Sequence, residues 1–373
     1  MPPHVAVIGA GAFGGWTALM LRRAGAEVTL VDAWGPGHAR ASSGGETRVL
    51  RGTYGERTIY TRMAARAMQL WRDHDAATGR RFFVRTGALW MFGDDDAFGR
   101  ASVDPMREAG LHVEWIDVDQ ARARWPQVAF DDVSRVLWEP EAGFAHARRA
   151  CEHVVESFVA EGGRYVVGHV APVRAPGGNL DAVAVGGDAL EADRFVLAAG
   201  PWLGALLPDV VGTRIRPSRQ ESFYFGTPAG DSRWLPPEMP VWLDYGSRGM
   251  TYGIPGNANR GFKVADDTYG ATFDPTHGDR SHTPEMLAEA RAFLRRRFPA
   301  IADAPLLGSE VCQYELTSDS HFLIDRHPGA PNVWIVGGGS GHGFKMGPAI
   351  GEYVTGLVFD DAEPAAAFRL AHR

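Results

Sequence analysis

Residues 5–15, VAVIGAGAFGG, run directly into WTALMLRRAG (16–25) and AEVTLVDAW (26–34), and this passage decides the fold. An apolar run, a glycine turn, an amphipathic stretch and a second apolar run make one β–α–β unit. Gly9, Gly11 and Gly14 stand as G-x-G-x-x-G between strand and helix. The first permits a tight turn, the second lets backbone approach a pyrophosphate, and the third lets the helix pack closely on the strand. The helix N-terminus adds free N–H groups and the positive end of a dipole. Asp32 closes the second strand 23 positions after Gly9, where a carboxylate can accept hydrogen bonds from ribose hydroxyls. With 46 glycines in the chain, the pattern alone would recur by accident. Strand before, helix after and an acid at the right distance make it a dinucleotide site, without separating NAD from FAD.

Two later passages repeat this logic. ADRFVLAAGPWLGALL (192–207) is an apolar strand, the small pair Ala199-Gly200 and a helix start, and NVWIVGGGSGHGFKMGPAIGEYVTGLV (332–358) is a strand, a glycine-rich loop and a helix. Three such segments far apart imply one cofactor domain interrupted by another. At 373 residues two closely packed domains are expected: 1–80, 146–215 and 322–373 for the discontinuous Rossmann-like domain, 81–145 and 216–321 for a substrate domain. The second set carries FFVRTGALWMF, LHVEWIDV, RQESFYF and VWLDYGSRGMTYGIPG, short apolar runs between turns that suggest a mainly antiparallel sheet. The fold class is therefore α/β with an α+β partner. Amphipathic spacing predicts helices over 58–79, 146–161 and 284–298, and 164–185 reads as strand-rich.

Composition narrows the function. Hydrophobic residues at 45% and charged residues at 22% describe an ordinary globular chain. The net charge of -7 is spread without long single-sign blocks, so nucleic acid is not an expected partner. No segment reaches the ~18 uninterrupted apolar residues of a membrane span, and MPPH enters an apolar strand without the features of a secretory signal. The cytoplasm is the expected compartment. The cysteines are Cys151 and Cys312, which excludes a disulfide scaffold. The 13 histidines show no H-x-x-x-H and no cluster with metal-ligand spacing, and no metal is expected. Ser340 sits in a glycine run, but His342 two places on breaks the hydrolase G-x-S-x-G elbow.

Two features favour FAD over NAD. The Gly35–Arg51 stretch carries Arg40, Arg48 and Arg51, and the last two are three residues apart, a helical turn that would let both face a cofactor and its substrate. The Gly337–Gly343 run brings a further backbone loop to a large two-ended ligand. Without that context the arginines read as solvated surface charge.

Together VAVIGAGAFGG, SSGGETRVLR (42–51), YGIPG (252–256) with GFK (261–263), CQYELTSDSHFLIDRHP (312–328) and GGGSGHGFK (337–345) resemble the monomeric sarcosine oxidase and N-methyltryptophan oxidase family of D-amino-acid-oxidase-like flavoproteins, over essentially the whole chain. The resemblance implies that Cys312 carries the flavin through a thioether, although a lone cysteine is most simply a small buried side chain. Cys151, in ARRACEHVVESF, reads as core. It implies that Arg51 and Lys345 hold a substrate carboxylate, whose desolvation two cations offset; by itself Lys345 could equally be a solvent-facing helix residue. Lys263 matches the lysine that promotes reaction with oxygen, Arg48 a basic residue over the ring, and Tyr252 a tyrosine of the substrate cavity, where plain packing is the simpler reading. The implied cofactor set is Gly9, Gly11, Phe13, Gly14, Asp32, Arg40, Ser42, Ser43, Thr47, Arg48, Val170, Ala199, Gly200, Trp202, Cys312, Gly339, Gly341, Gly343, Phe344 and Lys345.

This chain departs from the pattern at two places. Gly44 and Asp267 stand where smaller-substrate members have histidines. Sarcosine is thereby in doubt, and Asp267 either favours a bulkier or additionally cationic amine or points to solvent. The expected activity is an FAD-dependent oxidase of the C–N bond of an N-methyl or cyclic amino acid: hydride passes to the flavin, water hydrolyses the imine, and molecular oxygen becomes hydrogen peroxide. The expected protein is a monomer whose partners are that small amine and oxygen. A flavin dehydrogenase with another acceptor and a non-catalytic flavin-binding subunit of a larger complex are the competing readings.

Overall fold

In a computed structural model, residues 2–175, 177–246 and 249–372 are described. The opening passage forms the strand His4–Ile8, the helix Ala12–Arg23 and the strand Glu27–Asp32. Val5, Ala6 and Val7 are wholly buried, as are Leu30 and Val31, because these strands are covered by structure on both faces. They belong to a six-stranded sheet in the order Leu323–His327, Ala330–Gly337, Arg194–Leu197, His4–Ile8, Glu27–Asp32, Arg164–Val167. Its first pair is antiparallel and the rest are parallel.

The helix Ala12–Arg23 packs against Gly347–Asp360 and Ala147–Ala160. The long helix Thr58–Thr78 ends at Gly79 in a left-handed cap and contributes Tyr60, Ala64, Met68 and Trp71 to the same core. The third helix expected from spacing runs from Pro284 to Arg297, started by Thr283, whose hydroxyl accepts the Met286 N–H.

The second sheet has eight strands in the order Leu306–Leu316, Arg216–Phe225, Phe262–Asp266, Gly249–Ile254, Val241–Gly246, Ala88–Phe92, Arg135–Glu139, Glu114–Ile116. All its pairings are antiparallel except Val241–Gly246 with Ala88–Phe92. Its outer face packs on the helix at 284–297 through Trp242, Phe262, Phe293 and Phe298. Ser247 and Arg248, inside the stretch quoted for this sheet, lie outside the described residues.

Two local expectations are corrected. Arg48 lies in the strand Thr47–Leu50, paired antiparallel with Gly143–His146, so Arg48 and Arg51 are not a helical turn apart. Pairing with a distant strand overrides the local spacing. The stretch 164–185 is strand only at Arg164–Val167 and Ala182–Val185, with an isolated bridge from Val170 to Val185. The helix start expected after Ala199-Gly200 is present as a 3-10 turn at Gly200–Trp202 and one α-helical turn at Leu203–Leu206, and it is short because Pro208 follows at once.

Candidate active site

The carboxyl ends of the parallel strands open into a cleft of about 360 Å³ lined by Ile8, Asp32, Ala198 and Val336, the position at which this architecture binds ligands. Gly9 has φ +107°, and a Cβ there would meet the Ala198 carbonyl oxygen at 2.3 Å. A Cβ on Gly14 would stand 1.9 Å from the Gly9 carbonyl oxygen, so Gly14 shapes the turn without lining the cleft. Gly11 does line it. Asp32 ties the turn to its strand: Oδ2 accepts the Ala10 N–H at 2.8 Å, and Oδ1 accepts those of Trp34 at 2.9 Å and Gly35 at 2.8 Å.

Phe13, Ser42, Ser43, Arg48, Val170, Ala199, Gly200, Trp202, Gly339, Gly341, Gly343 and Phe344 all face this cleft. Trp34 builds an aromatic wall in it, with ring centroids 4.9 Å from Trp202, 5.0 Å from His169 and 5.1 Å from His38. Others of the expected cofactor set stand elsewhere. The Arg40 side chain is exposed, with Nε on the Thr276 carbonyl, and its own carbonyl accepts from the Gln313 amide. Thr47 is buried behind the cleft, and Lys345 belongs to the neighbouring cavity.

The cleft carries the features a dinucleotide needs. The glycine turn leaves backbone open, while Ser42 Oγ and Glu315 Oε2 are buried without a hydrogen-bond partner among the described residues. Burial raises the Glu315 carboxyl to about 7 against the Gly339 and Gly338 N–H groups. Buried polar atoms of this kind are costly unless something meets them.

Beside the cleft, and sharing Arg48, Gly341 and Phe344 with it, lies a cavity of about 710 Å³. Arg51 and Lys345 both face it. The Arg51 guanidinium lies 4.7 Å from the Tyr54 ring centroid and 5.0 Å from that of Trp90, held by a bond to the Thr53 carbonyl. Lys345 is 6% exposed, which corrects the solvent-facing reading. Its Nζ donates to Tyr54 Oη and the His342 carbonyl, each at 2.9 Å. Burial and the nearby Arg51 hold this lysine well below its ordinary value. His342 Nε2 lies 2.9 Å from the Ser320 carbonyl; a carbonyl can only accept, so that nitrogen carries the proton. Nδ1, 3.4 Å from Tyr54 Oη, is left as an acceptor.

Behind Arg51 sits Glu139, 2% exposed. Its Oε1 accepts from Trp90 Nε1 at 2.6 Å and from the Thr53 hydroxyl, and its Oε2 from the Gly52 N–H at 2.8 Å. One carboxylate thus fixes both the backbone that presents Arg51 and the ring under its guanidinium. The far wall is apolar, with Phe98 and Tyr245 stacked at 5.0 Å.

At the junction of cleft and cavity, Arg48 donates to the Ser42 carbonyl at 2.7 Å and stands 3.3 Å from Cys312 Sγ. Burial alone would lower Arg48, but the facing Cys312 thiol, Tyr252 and Glu310 outweigh it and raise it. Lys263 is buried, with Nζ 3.3 Å from the Thr47 carbonyl; burial and Arg48 bring it down to about 8. Tyr252 lines the cavity and burial raises it to about 12. Asp267 points into the cavity rather than to solvent and accepts the Tyr314 hydroxyl at 2.8 Å. Gly44, the other departure, sits in a tight turn where a Cβ would meet the His38 carbonyl oxygen at 1.9 Å. Cys151 is buried in the helix 147–160, and burial raises its thiol to about 12.

Sequence reading passed over Trp34, Tyr54, Glu139, His342 and Glu315. Trp34 stands two places after Asp32, and Glu315 and His342 sit inside quoted motifs, so position could have flagged them. Nothing local flagged Tyr54 or Glu139.

This arrangement is that of a flavoprotein, and comparison with known proteins agrees. The family model described as FAD dependent oxidoreductase matches residues 4–357. Monomeric sarcosine oxidase of Bacillus sp. (strain B-0618) is 30% identical over 362 residues, covering 95% of this chain and 91% of that one. N-methyl-L-tryptophan oxidase of Yersinia pestis (strain Pestoides F) is 28% identical over 379 residues, covering 98% of each. Among solved structures, L-proline dehydrogenase from P. horikoshii superposes with a TM-score of 0.84 at 21% identity, covering 98% of this chain and 96% of that one. The fructosamine oxidase Amadoriase II from Aspergillus fumigatus gives 0.83 at 21%, covering 99% and 89%. The chain belongs to the FAD dependent oxidoreductase family. It is an FAD-dependent oxidoreductase.

Proposed function

We propose that this enzyme oxidises the carbon–nitrogen bond of a secondary amino acid, N-methyl or cyclic, with molecular oxygen as acceptor and hydrogen peroxide as product. The observation that carries the reading is the pairing of Arg51 and Lys345 in a cavity that shares Arg48, Gly341 and Phe344 with the nucleotide cleft. Two cations against aromatic walls fit a desolvated carboxylate. The names of the relatives, a sarcosine oxidase and an N-methyl-L-tryptophan oxidase, support the amine side of the reading.

The residues suit the cofactor they would hold. Gly9, Gly11, Ser43 and the helix at 12–23 would receive the pyrophosphate, Asp32 a ribose, and Trp34 and Trp202 an aromatic ring. Bound FAD supplies the electron acceptance that no side chain can. Cys312, beside Arg48 at the junction, would anchor it covalently, and Lys263 would stabilise negative charge arising as oxygen reacts. The segments 1–80, 146–215 and 322–373 form the cofactor domain in this reading, and 81–145 with 216–321 the substrate domain. The enzyme acts as a monomer in the cytoplasm.

A peroxide assay of the purified holoenzyme on N-methyl, cyclic, and D- and L-amino acids tests the function. Peroxide with a secondary amino acid is the expected result. Flavin that is reduced by the amine but reoxidises sluggishly in air would place the enzyme among dehydrogenases instead.

A further inference from the structure

We infer that Asp267 receives the substrate nitrogen: its free carboxylate oxygen holds the ammonium by a hydrogen bond and then takes its proton. This rests on the amine-oxidising reading above.

The geometry has three parts. Asp267 is in the cavity wall, held there by a backbone bond from its N–H to the Met250 carbonyl at 2.9 Å. Its Oδ1 is occupied by the Tyr314 hydroxyl at 2.8 Å, and no described residue donates to Oδ2. A carboxylate has room for further donors there. Finally, Arg51 and Lys345 line the same cavity as Asp267, so a pair of cations and a carboxylate face one chamber. An amino acid zwitterion is the complementary ligand, with its carboxylate on Arg51 and Lys345 and its nitrogen on Asp267.

A cationic nitrogen has no lone pair to assist loss of hydride from the adjacent carbon, so the proton must leave first. In the proposed step an N–H bond of the ammonium breaks, an O–H bond forms at Asp267 Oδ2, and the charges of both groups are cancelled with no change of oxidation state. Asp267 is half-buried, so the proton can pass on to water at the cavity mouth. Burial raises its carboxyl to about 6, with the Tyr314 hydroxyl, Arg51 and Lys345 opposing that shift and Asp266 adding to it. Tyr54 and Tyr252 are the other titratable groups that sense its charge. A base of this strength is ionised at neutral pH yet accepts a proton more readily than an ordinary aspartate.

Anaerobic stopped-flow reduction of the holoenzyme by N-methyl and cyclic amino acids, followed across pH 5–9, tests the assignment. The limiting rate is expected to rise with pH through about 6. In Asp267→Asn that limb should vanish, with the rate at pH 7 lower by about 10²-fold and the flavin spectrum retained. Tyr314→Phe removes the donor that stabilises the carboxylate and should move the limb to higher pH, which covers the case of an unstable Asn variant. An unchanged pH profile in either variant overturns the role of Asp267 while leaving the amine reading intact. Failure of every amine to reduce the parent flavin overturns both.

Discussion

Arg48 Nη2 lies 3.3 Å from Cys312 Sγ, although the two residues are 264 positions apart in the chain. The contact joins the short strand Thr47–Leu50 to the long strand at 306–316, at the place where nucleotide cleft and cavity meet. The contact sets a fixed guanidinium against the thiol proposed above to carry the flavin.

Acid precipitation of the holoenzyme should therefore leave its yellow colour with the pellet. In a Cys312→Ala variant the colour should move to the supernatant, read by absorbance near the flavin band. Free flavin released from the parent protein would rule the link out.

Lys263 provides a pH prediction. Its pKa of about 8, below the ordinary lysine value, means the charged form dominates below that pH and is lost as pH rises through it. The rate of flavin reoxidation by oxygen should fall over the same interval. Lys263→Met should be slow at every pH, by about 10²-fold or more at pH 7, with reduction by the amine little changed. A pH-independent parent rate would contradict the role.

Glu139 is expected to act through Arg51. In Glu139→Gln an amide N–H₂ must face donors from Gly52, Thr53 or Trp90, which should cost about 1–3 kcal/mol of stability. KM for a carboxylate-bearing amine should rise several-fold with kcat nearly preserved. Equal loss for an amine lacking the carboxylate would assign Glu139 to stability alone.

The glycine turn separates folding from cofactor retention. Gly14→Ala places a methyl 1.9 Å from the Gly9 carbonyl oxygen and should yield little soluble protein. Gly11→Ala meets only Ser43 Oγ, at 3.3 Å, so it should fold, with a near-parental circular dichroism spectrum, yet hold less flavin per chain. Parental flavin content in Gly11→Ala would remove that glycine from the cofactor site.

The β–α–β opening was legible because its determinants are local. Strand, turn and helix each follow from neighbouring residues, and the Gly9–Asp32 interval is set by the length of one such unit. The helices at 58–78 and 284–297 were legible for the same reason, since an amphipathic period needs no partner to be seen. The strand carrying Arg48 was not, because it exists only through pairing with 143–146.

The site divides along the same line. Residue type, motif and resemblance in the linear chain marked Gly9, Gly11, Arg51, Lys263, Cys312 and Lys345 as candidates, and the structure gathers Gly9 and Gly11 at the cleft and Arg51 and Lys345 at the cavity beside it. Which way Asp267 points, which wall buries Lys345, where the Arg40 side chain goes and what holds Arg51 from behind depended on groups that converge from separate parts of the chain. Those contacts arise from sheet order and burial, which no local spacing encodes. Tyr54, Glu139 and Asp267 therefore acquire their surroundings only when the two sheets close over the cavity.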